Sequence, residues 1–310
     1  MRLIFAGTPE VALPSLEALV DAGHEIALVV TRPDARGKRG KRTYPSLVKA
    51  RAIELGLEVA TPVKASDPAF IDRVRTLDAD AAGVVAYGQI LRPALLEATH
   101  LGWVNLHFSV LPAWRGAAPV QRAIQAGDDV TGTSTFLIEE GLDTGPVIGQ
   151  ATERIRPTDT AGEVLTRLSH VGAPLLKDSL EALYAGIAAP VAQPDDGISH
   201  AAKLTRDDAS IRWELPAHVV DRAIRACTPA PGAWTTLPDG STAKIGPVSV
   251  TGAPSTTPGL MNADAEGVMV GTGTAPVRLS TIQPAGKKEM DAGDWWRGAR
   301  WGDSAQLGEA

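Results

Sequence analysis

Hydrophobic positions along the first half of the chain follow two periods in turn. Leu3-Ile4-Phe5-Ala6 is a short unbroken apolar run that ends at Gly7-Thr8-Pro9, the pattern of a buried strand. Val11, Leu13, Leu16, Leu19 and Val20 then recur at three- and four-residue spacings, which predicts a helix closed by Gly23. Ile26 to Val30 is the next strand, so the chain opens as a βαβ unit. Helices are expected from Ser46 to Leu55, stopped by Gly56, and from Asp67 to Leu77, with Phe70, Ile71, Val74 and Leu77 on one face. Ala81 to Ala86 reads as a buried strand. In the stretch that follows, Val104, Leu106 and Phe108 alternate with Asn105, His107 and Ser109. That period of two aims the Asn105 and His107 side chains at the same face, before Pro112, Gly116 and Pro119 break the strand into a loop. A helix over Ala117–Ala126 and a strand over Thr133–Ile138 come next. A long amphipathic helix from Thr160 to Tyr184 follows, with Val164, Leu165, Leu168, Val171, Leu175, Leu176, Leu180 and Leu183 turned to the sheet.

Beyond Gly186 the pattern changes. Residues 187–205 are rich in Ala, Pro, Asp and Gly and read as a linker. One helix, Ala217 to Cys227, precedes short β-like runs at Lys244–Ile245, Val248–Val250, Gly267–Val270 and Val277–Ile282, separated by Gly, Pro, Asp and Asn. Several short strands with frequent turns suggest a small barrel of the oligonucleotide/oligosaccharide-binding kind. The expected organisation is an α/β, Rossmann-like parallel-sheet domain over 1–186, a linker over 187–205 and a C-terminal barrel over 206–310.

Length and composition fit this reading: 310 residues suffice for two domains, and 44% hydrophobic with 21% charged is an ordinary globular balance. A single cysteine, Cys227, excludes an internal disulfide and a cysteine-based metal cluster, and it reads as a small buried apolar residue. The N-terminal apolar run is too short for a signal peptide and no later run reaches a membrane span, so a cytosolic monomer without membrane contact is expected. The formal net charge of -6 argues against a general nucleic-acid binder. The positive charge is nevertheless concentrated in Arg32-Pro-Asp-Ala-Arg-Gly-Lys-Arg-Gly-Lys-Arg-Thr-Tyr-Pro45, which holds six basic residues and one acid. Its glycines and prolines exclude helix and strand and predict a mobile loop, either a solvated face or a place where phosphates are neutralised.

Three places carry candidate chemistry. The first turn, Gly7-Thr8-Pro9-Glu10, lacks the second glycine of a dinucleotide fingerprint, so it is either a plain strand-to-helix turn or one that lines a substrate. Asn105 and His107, side by side at the end of a strand, could donate to a developing oxyanion and exchange a proton near neutral pH, although taken alone they would read as a turn former and a core histidine. Glu139-Glu-Gly-Leu-Asp-Thr-Gly-Pro146 is a tight loop that presents Asp143. No cluster of His, Asp and Glu stands at metal-ligand spacing, and no metal is expected.

The run Asn-Leu-His-Phe-Ser-Val-Leu-Pro-Ala-Trp-Arg-Gly-Ala-Ala-Pro, starting at Asn105, resembles the signature of the formyltransferases that use 10-formyltetrahydrofolate. The continuation Arg115-Gly-Ala-Ala-Pro-Val-Gln-Arg resembles their methionyl-tRNA branch. Glu140-Gly-Leu-Asp-Thr-Gly-Pro resembles the family's second signature, and His200-Ala-Ala-Lys-Leu-Thr205 its connector. Gly286-Lys-Lys-Glu-Met290 with Trp295-Trp-Arg-Gly298 is similar to its C-terminal segment. The resemblance implies transfer of a formyl group from 10-formyltetrahydrofolate, as co-substrate, to the amine of initiator methionyl-tRNA. It implies that Asn105 and a protonated His107 are oxyanion donors, and that Asp143 orients His107, raises its pKa and helps deprotonate the attacking amine. Gln89, Ile90, Leu91, Ser109, Val110, Leu111, Pro112 and Asp143 would face the folate. Arg36, Lys38, Arg39, Lys41 and Arg42 would face tRNA, with Arg39 at the first base pair. From Asp207 onward acids outnumber bases, so the second domain would hold tRNA through a local face such as Lys244, Lys287, Lys288 and Arg297. Two other readings are a sibling enzyme acting on a sugar-nucleotide amine or hydrolysing the formyl donor, and a non-catalytic tRNA-binding module. The basic run and second domain speak against the first, and the intact Asn105, His107 and Asp143 against the second.

Overall fold

Leu3, Ile4, Phe5 and Ala6 are wholly buried in strand β1 (Arg2–Gly7), the centre of a seven-stranded sheet. The computed structural model describes residues 1–36, 43–302 and 305–308. After β1 come α1 (Leu13–Asp21), β2 (Glu25–Val30), the two-residue strands β3 (Ala35–Arg36) and β4 (Thr43–Tyr44), α2 (Leu47–Glu54) and β5 (Val59–Ala60). The chain continues with α3 (Pro68–Thr76), β6 (Ala81–Val85), α4 (Pro93–Leu96), β7 (Trp103–His107), β8 (Arg115–Gly116) and α5 (Pro119–Ala126). Strands β9 (Val130–Leu137) and β10 (Val147–Arg154) lead to α6 (Ala161–Tyr184) and β11 (His200–Ala201). Side chains set the helix starts where the sequence predicts them. Ser46 accepts the N–H of Lys49 at 3.0 Å, and Asp67, followed by Pro68, accepts that of Ala69 at 2.9 Å.

The sheet order is β10-β9-β7-β6-β1-β2-β5. Five strands run parallel, and β9 and β10 are antiparallel additions at one edge. Strand β10 was not anticipated, because its residues alternate between half-buried and exposed and leave no apolar run to detect. Its first residue, Val147, is bridged on the outer side by Val191. The long helix α6 covers the sheet as its periodicity requires: Leu176 and Leu180 lie over Gly83, and Gly172 lets Leu106 of β7 approach its backbone. Leu168, Leu176 and Leu180 are wholly buried.

The basic run departs from the expectation that it holds no strand. Ala35 pairs with Tyr44 and Arg36 with Thr43 in an antiparallel ladder. Pro33 and Pro45 fall outside the paired residues, so neither removes a donor from the ladder.

The described chain forms two units: Met1–Pro119, Val130–Arg154 and Leu165–His200, and Val120–Asp129, Ile155–Val164 and Ala201–Ala310. The second contains α7 (Ala217–Ala226), β12 (Trp234–Thr236), β13 (Thr242–Ile245), β14 (Val248–Val250), β15 (Met261–Asp264) and β16 (Gly267–Val270). It ends with β17 (Val277–Leu279), β18 (Thr281–Pro284), β19 (Met290–Asp291) and α8 (Ala292–Ala299). Two four-stranded antiparallel sheets, β12-β13-β18-β19 and β14-β17-β16-β15, enclose one apolar core, the arrangement of a small barrel. The single run read over Val277–Ile282 is two strands: it breaks at Ser280, whose hydroxyl donates to the carbonyl of Pro247. Strands β12, β15 and β19 and helix α8 also escaped the sequence pattern; each strand is at most four residues long. Buried Arg225 is engaged within this unit, donating Nε to Asp221 at 2.8 Å and a terminal nitrogen to the carbonyl of Asp159 at 2.9 Å.

Candidate active site

The strand order reverses direction between β1 and β6, and the crevice outside the carboxyl ends of such strands is where open α/β sheets bind ligands. Gly7 ends β1 there. A Cβ at Gly7 would stand 2.8 Å from that of Ala12, so the chain can turn into the first helix only without one. Thr8 then donates its hydroxyl to the carbonyl of Tyr87, just past β6, at 3.0 Å. Beside this joint a cleft of about 1030 Å³ is lined by Thr8, Arg32, Asp34, Ser46, Gln89 and Ile90 among others.

Next to β6 lies β7, which ends in Asn105-Leu106-His107. Its pairing sets Asn105 opposite Val84 and Phe136, and His107 opposite Ser134. Asn105 is half-buried, and its side-chain amide has no hydrogen-bond partner among the described residues. His107 is only 6% exposed and stands edge-on to Phe136. Its Nε2 lies 2.9 Å from the carbonyl oxygen of Trp114, which can only accept, so Nε2 carries the hydrogen and Nδ1 the free lone pair. Nδ1 faces Oδ2 of Asp143 at 3.8 Å. Burial pulls the His107 pKa below its usual 6.5, outweighing the neighbouring Asp143 and the Trp114 carbonyl, which both raise it. Against the expectation of a protonated His107, burial is the larger influence and shifts the ring toward its neutral form.

Two loops meet over this pair. Asp143 accepts the N–H of Gly116 at 2.7 Å, and both Asp143 (φ 54°) and Trp114 (φ 62°) hold a left-handed backbone that costs a side-chain-bearing residue about 1–2 kcal/mol. Residues 109–113 are fixed from below by two side chains that the sequence did not single out. Ser134 donates to the carbonyl of Ser109 and accepts the N–H of Leu111, while Gln150 donates to Ser134 and to the carbonyl of Leu111 at 2.9 Å each. Both sit on the antiparallel edge of the sheet, which explains the omission: their role depends on a strand pairing that periodicity does not reveal.

The expected folate residues divide by exposure. Ile90 is 74% exposed, whereas Leu91 is buried. Gln89 is held by its own bonds, donating to the carbonyl of Pro62 at 3.0 Å and accepting the N–H of Ala65 at 2.8 Å. Ser109 is wholly buried with its hydroxyl on the carbonyl of Ala113, and Leu111 is buried with both backbone groups bonded, so these two shape the loop while Val110 and Pro112 are half-exposed beside it.

Of the residues expected at tRNA, Lys38, Arg39, Lys41 and Arg42 lie outside the described residues, as does the side chain of Arg36. Lys287 and Lys288 are exposed in the turn between β18 and β19, and their ammonium groups make no ion pair among the described residues. Lys244 donates to the carbonyl of Pro231 and Arg297 pairs with Asp294, so both are already engaged. Among the described residues no three His, Cys, Asp or Glu side chains form a metal-ligand group, and no helix is long and apolar enough to cross a membrane.

Residues 1–180 match the family model described as formyl transferase, and residues 203–300 that of the formyl transferase C-terminal domain. This chain belongs to the formyl transferase family. Within that family it is 54% identical over 310 residues to a methionyl-tRNA formyltransferase of Thermobifida fusca, covering 100% of both chains. It is 56% identical over 301 residues to the methionyl-tRNA formyltransferase of Rhodococcus erythropolis, covering 97% of each. Among solved structures, HypX from Aquifex aeolicus in complex with tetrahydrofolic acid superposes with a TM-score of 0.70 at 15% identity, over 95% of this chain and 46% of that one. The N-formyltransferase of Helicobacter canadensis, crystallised with folinic acid and dTDP-3-aminofucose, superposes at 0.65 and 18% identity over 91% and 98% of the two chains. These likenesses establish that the family fold spans almost the whole chain.

Proposed function

We propose that this chain transfers the formyl group of 10-formyltetrahydrofolate to the amino group of initiator methionyl-tRNA. The observation that carries the reading is similarity over the full length, at more than half identity, to proteins named for this reaction. Asn105, His107 and Asp143 support it by standing together at the carboxyl end of the sheet.

The folate supplies the formyl carbon, and the half-buried, unbonded amide of Asn105 fits such a donor. Asn105 donates to the formyl oxygen as negative charge develops there, the kind of contact whose loss usually costs about 2.7–4 kcal/mol. Neutral His107 accepts at Nδ1 the proton released by the attacking amine, Asp143 stabilises the imidazolium that results, and that proton passes to N10 of the folate as its bond to the formyl carbon breaks, releasing tetrahydrofolate. Asp143 thus acts by charge, since 3.8 Å is beyond hydrogen-bond reach, while its Oδ2 accepts the N–H of Gly116. Residues 1–186 carry this chemistry in our reading, with 187–205 as connector. The C-terminal part, 206–310, joins the basic run in holding tRNA, Lys287 and Lys288 being exposed cations that make no ion pair among the described residues.

Formylation assays with charged initiator tRNA, charged elongator tRNA and an amino-sugar nucleotide test the reading. Rapid folate-dependent formylation of the initiator alone is expected, and formylation of the sugar nucleotide without the tRNA would replace the reading with the sibling activity.

A further inference from the structure

Gln193 lies in an otherwise exposed stretch after α6, yet it is half-buried and every hydrogen-bonding position of its amide is used. Its Nε2 donates to the carbonyls of Asp143 and Gly145, at 2.8 Å each. Its Oε1 accepts from Nε and a terminal nitrogen of Arg115, at 3.0 and 2.7 Å. A few residues on, Ser199 accepts the N–H of Trp114 on its hydroxyl and that of Arg115 on its carbonyl, both at 2.9 Å. The two loops over His107 are therefore held from one side by a single short segment. The residues it grips include both that carry a left-handed backbone, Trp114 and Asp143. Such conformations persist only where the surroundings over-determine them.

Resting on the formyl-transfer reading above, we propose that Gln193 is a positioning residue that sets the distance between Asp143 and His107. The chemistry of the amide makes the role specific. Two donors and two acceptors are needed on one planar group, and all four bonds are made. Glutamate has the same shape but places carboxylate oxygens against the carbonyls of Asp143 and Gly145 while keeping the Arg115 contact. Leucine has nearly the same volume and makes none of the four bonds. Asparagine falls one methylene short of both loops. Among the described residues Asp143 is the charged group that acts on His107, so a displaced Asp143 is read out directly on that ring.

The test compares wild type with Gln193→Leu and Gln193→Glu. Gln193 is outside the apolar core, so both variants keep the fold, which melting curves verify. Single-turnover formylation of methionyl-tRNA, measured from pH 5 to 8, is expected to fall about tenfold to a hundredfold, the scale for misplaced reacting groups. KM should stay unchanged for both substrates, and the acidic limb of the profile should move to lower pH as His107 loses the influence of Asp143. A merely structural role would lower the melting temperature and leave that limb where it is. A wild-type rate and limb in both variants overturns the proposal. Should wild type itself fail to formylate methionyl-tRNA, the functional reading fails instead. The brace is then judged by the NMR titration of His107, where a pKa unmoved by both substitutions overturns it and a lowered pKa supports it.

Discussion

Oδ2 of Asp143 is 2.7 Å from the backbone nitrogen of Gly116 but 3.8 Å from Nδ1 of His107. The carboxylate is bonded to the loop and reaches the imidazole by charge alone. That arrangement leaves Nδ1 open for a substrate proton, and burial, which outweighs the attraction, shifts His107 toward its neutral form.

Activity should therefore have an acidic limb set by His107 below its usual pKa of 6.5. The folded protein favours the neutral ring, the active form, so kcat/KM is full above 6.5 and is lost as pH falls through the lowered value. Asp143→Asn removes an influence that raises this pKa. Its limb should lie at still lower pH, with a reduced plateau because the imidazolium loses its counter-charge. An unmoved limb in a pH series of kcat/KM would show that the two groups are not coupled.

Asn105→Ala should slow the chemical step by about a hundredfold to a thousandfold, the usual effect of losing one oxyanion donor. Because the Asn105 amide bonds to nothing among the described residues, the melting temperature should hold. Single-turnover kinetics beside thermal melting separates the two effects, and near-wild-type turnover would remove Asn105 from the proposed chemistry.

Neutralising Arg36, Lys38, Arg39, Lys41 or Arg42 should weaken tRNA capture, each lost phosphate contact lowering the salt slope by about 0.7–0.9. Arg39→Ala should also blunt discrimination between initiator and elongator tRNA. Folate affinity should not respond, since the expected folate residues are elsewhere in the chain. Measuring kcat/KM for both tRNAs at two salt concentrations, with folate titration alongside, decides between phosphate binding and a solvated face.

Tyr87 offers a prediction about stability. Its hydroxyl is buried without a hydrogen-bond partner among the described residues, and burial pushes its pKa up to about 12. Removing an unsatisfied buried polar group relieves a desolvation cost of about 1–3 kcal/mol, so Tyr87→Phe should raise the unfolding free energy. Urea titration checks the sign; a less stable variant would mean that the hydroxyl is satisfied in solution.

Much of this was legible from residue order because it depends on local patterns. The alternation around Asn105 and His107 put both on one strand, and the glycines and proline around Asp143 made it a loop. Strand β10 was invisible because an edge strand with one solvated face carries no apolar run. The protonation of His107 could not be read either: the sequence shows that a carboxylate is near, but only the packing shows that desolvation is the larger effect. Ser134, Gln150 and Gln193 escaped notice for a third reason. Their bonds reach backbone groups of loops distant along the chain, and an isolated Ser or Gln has no pattern that announces such a partner.

The edges of the seven-stranded sheet bear on how the chain behaves in a crowded solution. One edge, β5, is two residues long, too short to template another strand. The other, β10, begins at Val147, which Val191 already bridges, and exposes Thr152 and Arg154 further on. A polar, charge-tipped border of this kind disfavours strand addition by a neighbouring molecule. The bridge from Val191, two residues before Gln193, thus covers the start of that edge while the same segment holds the loops over His107.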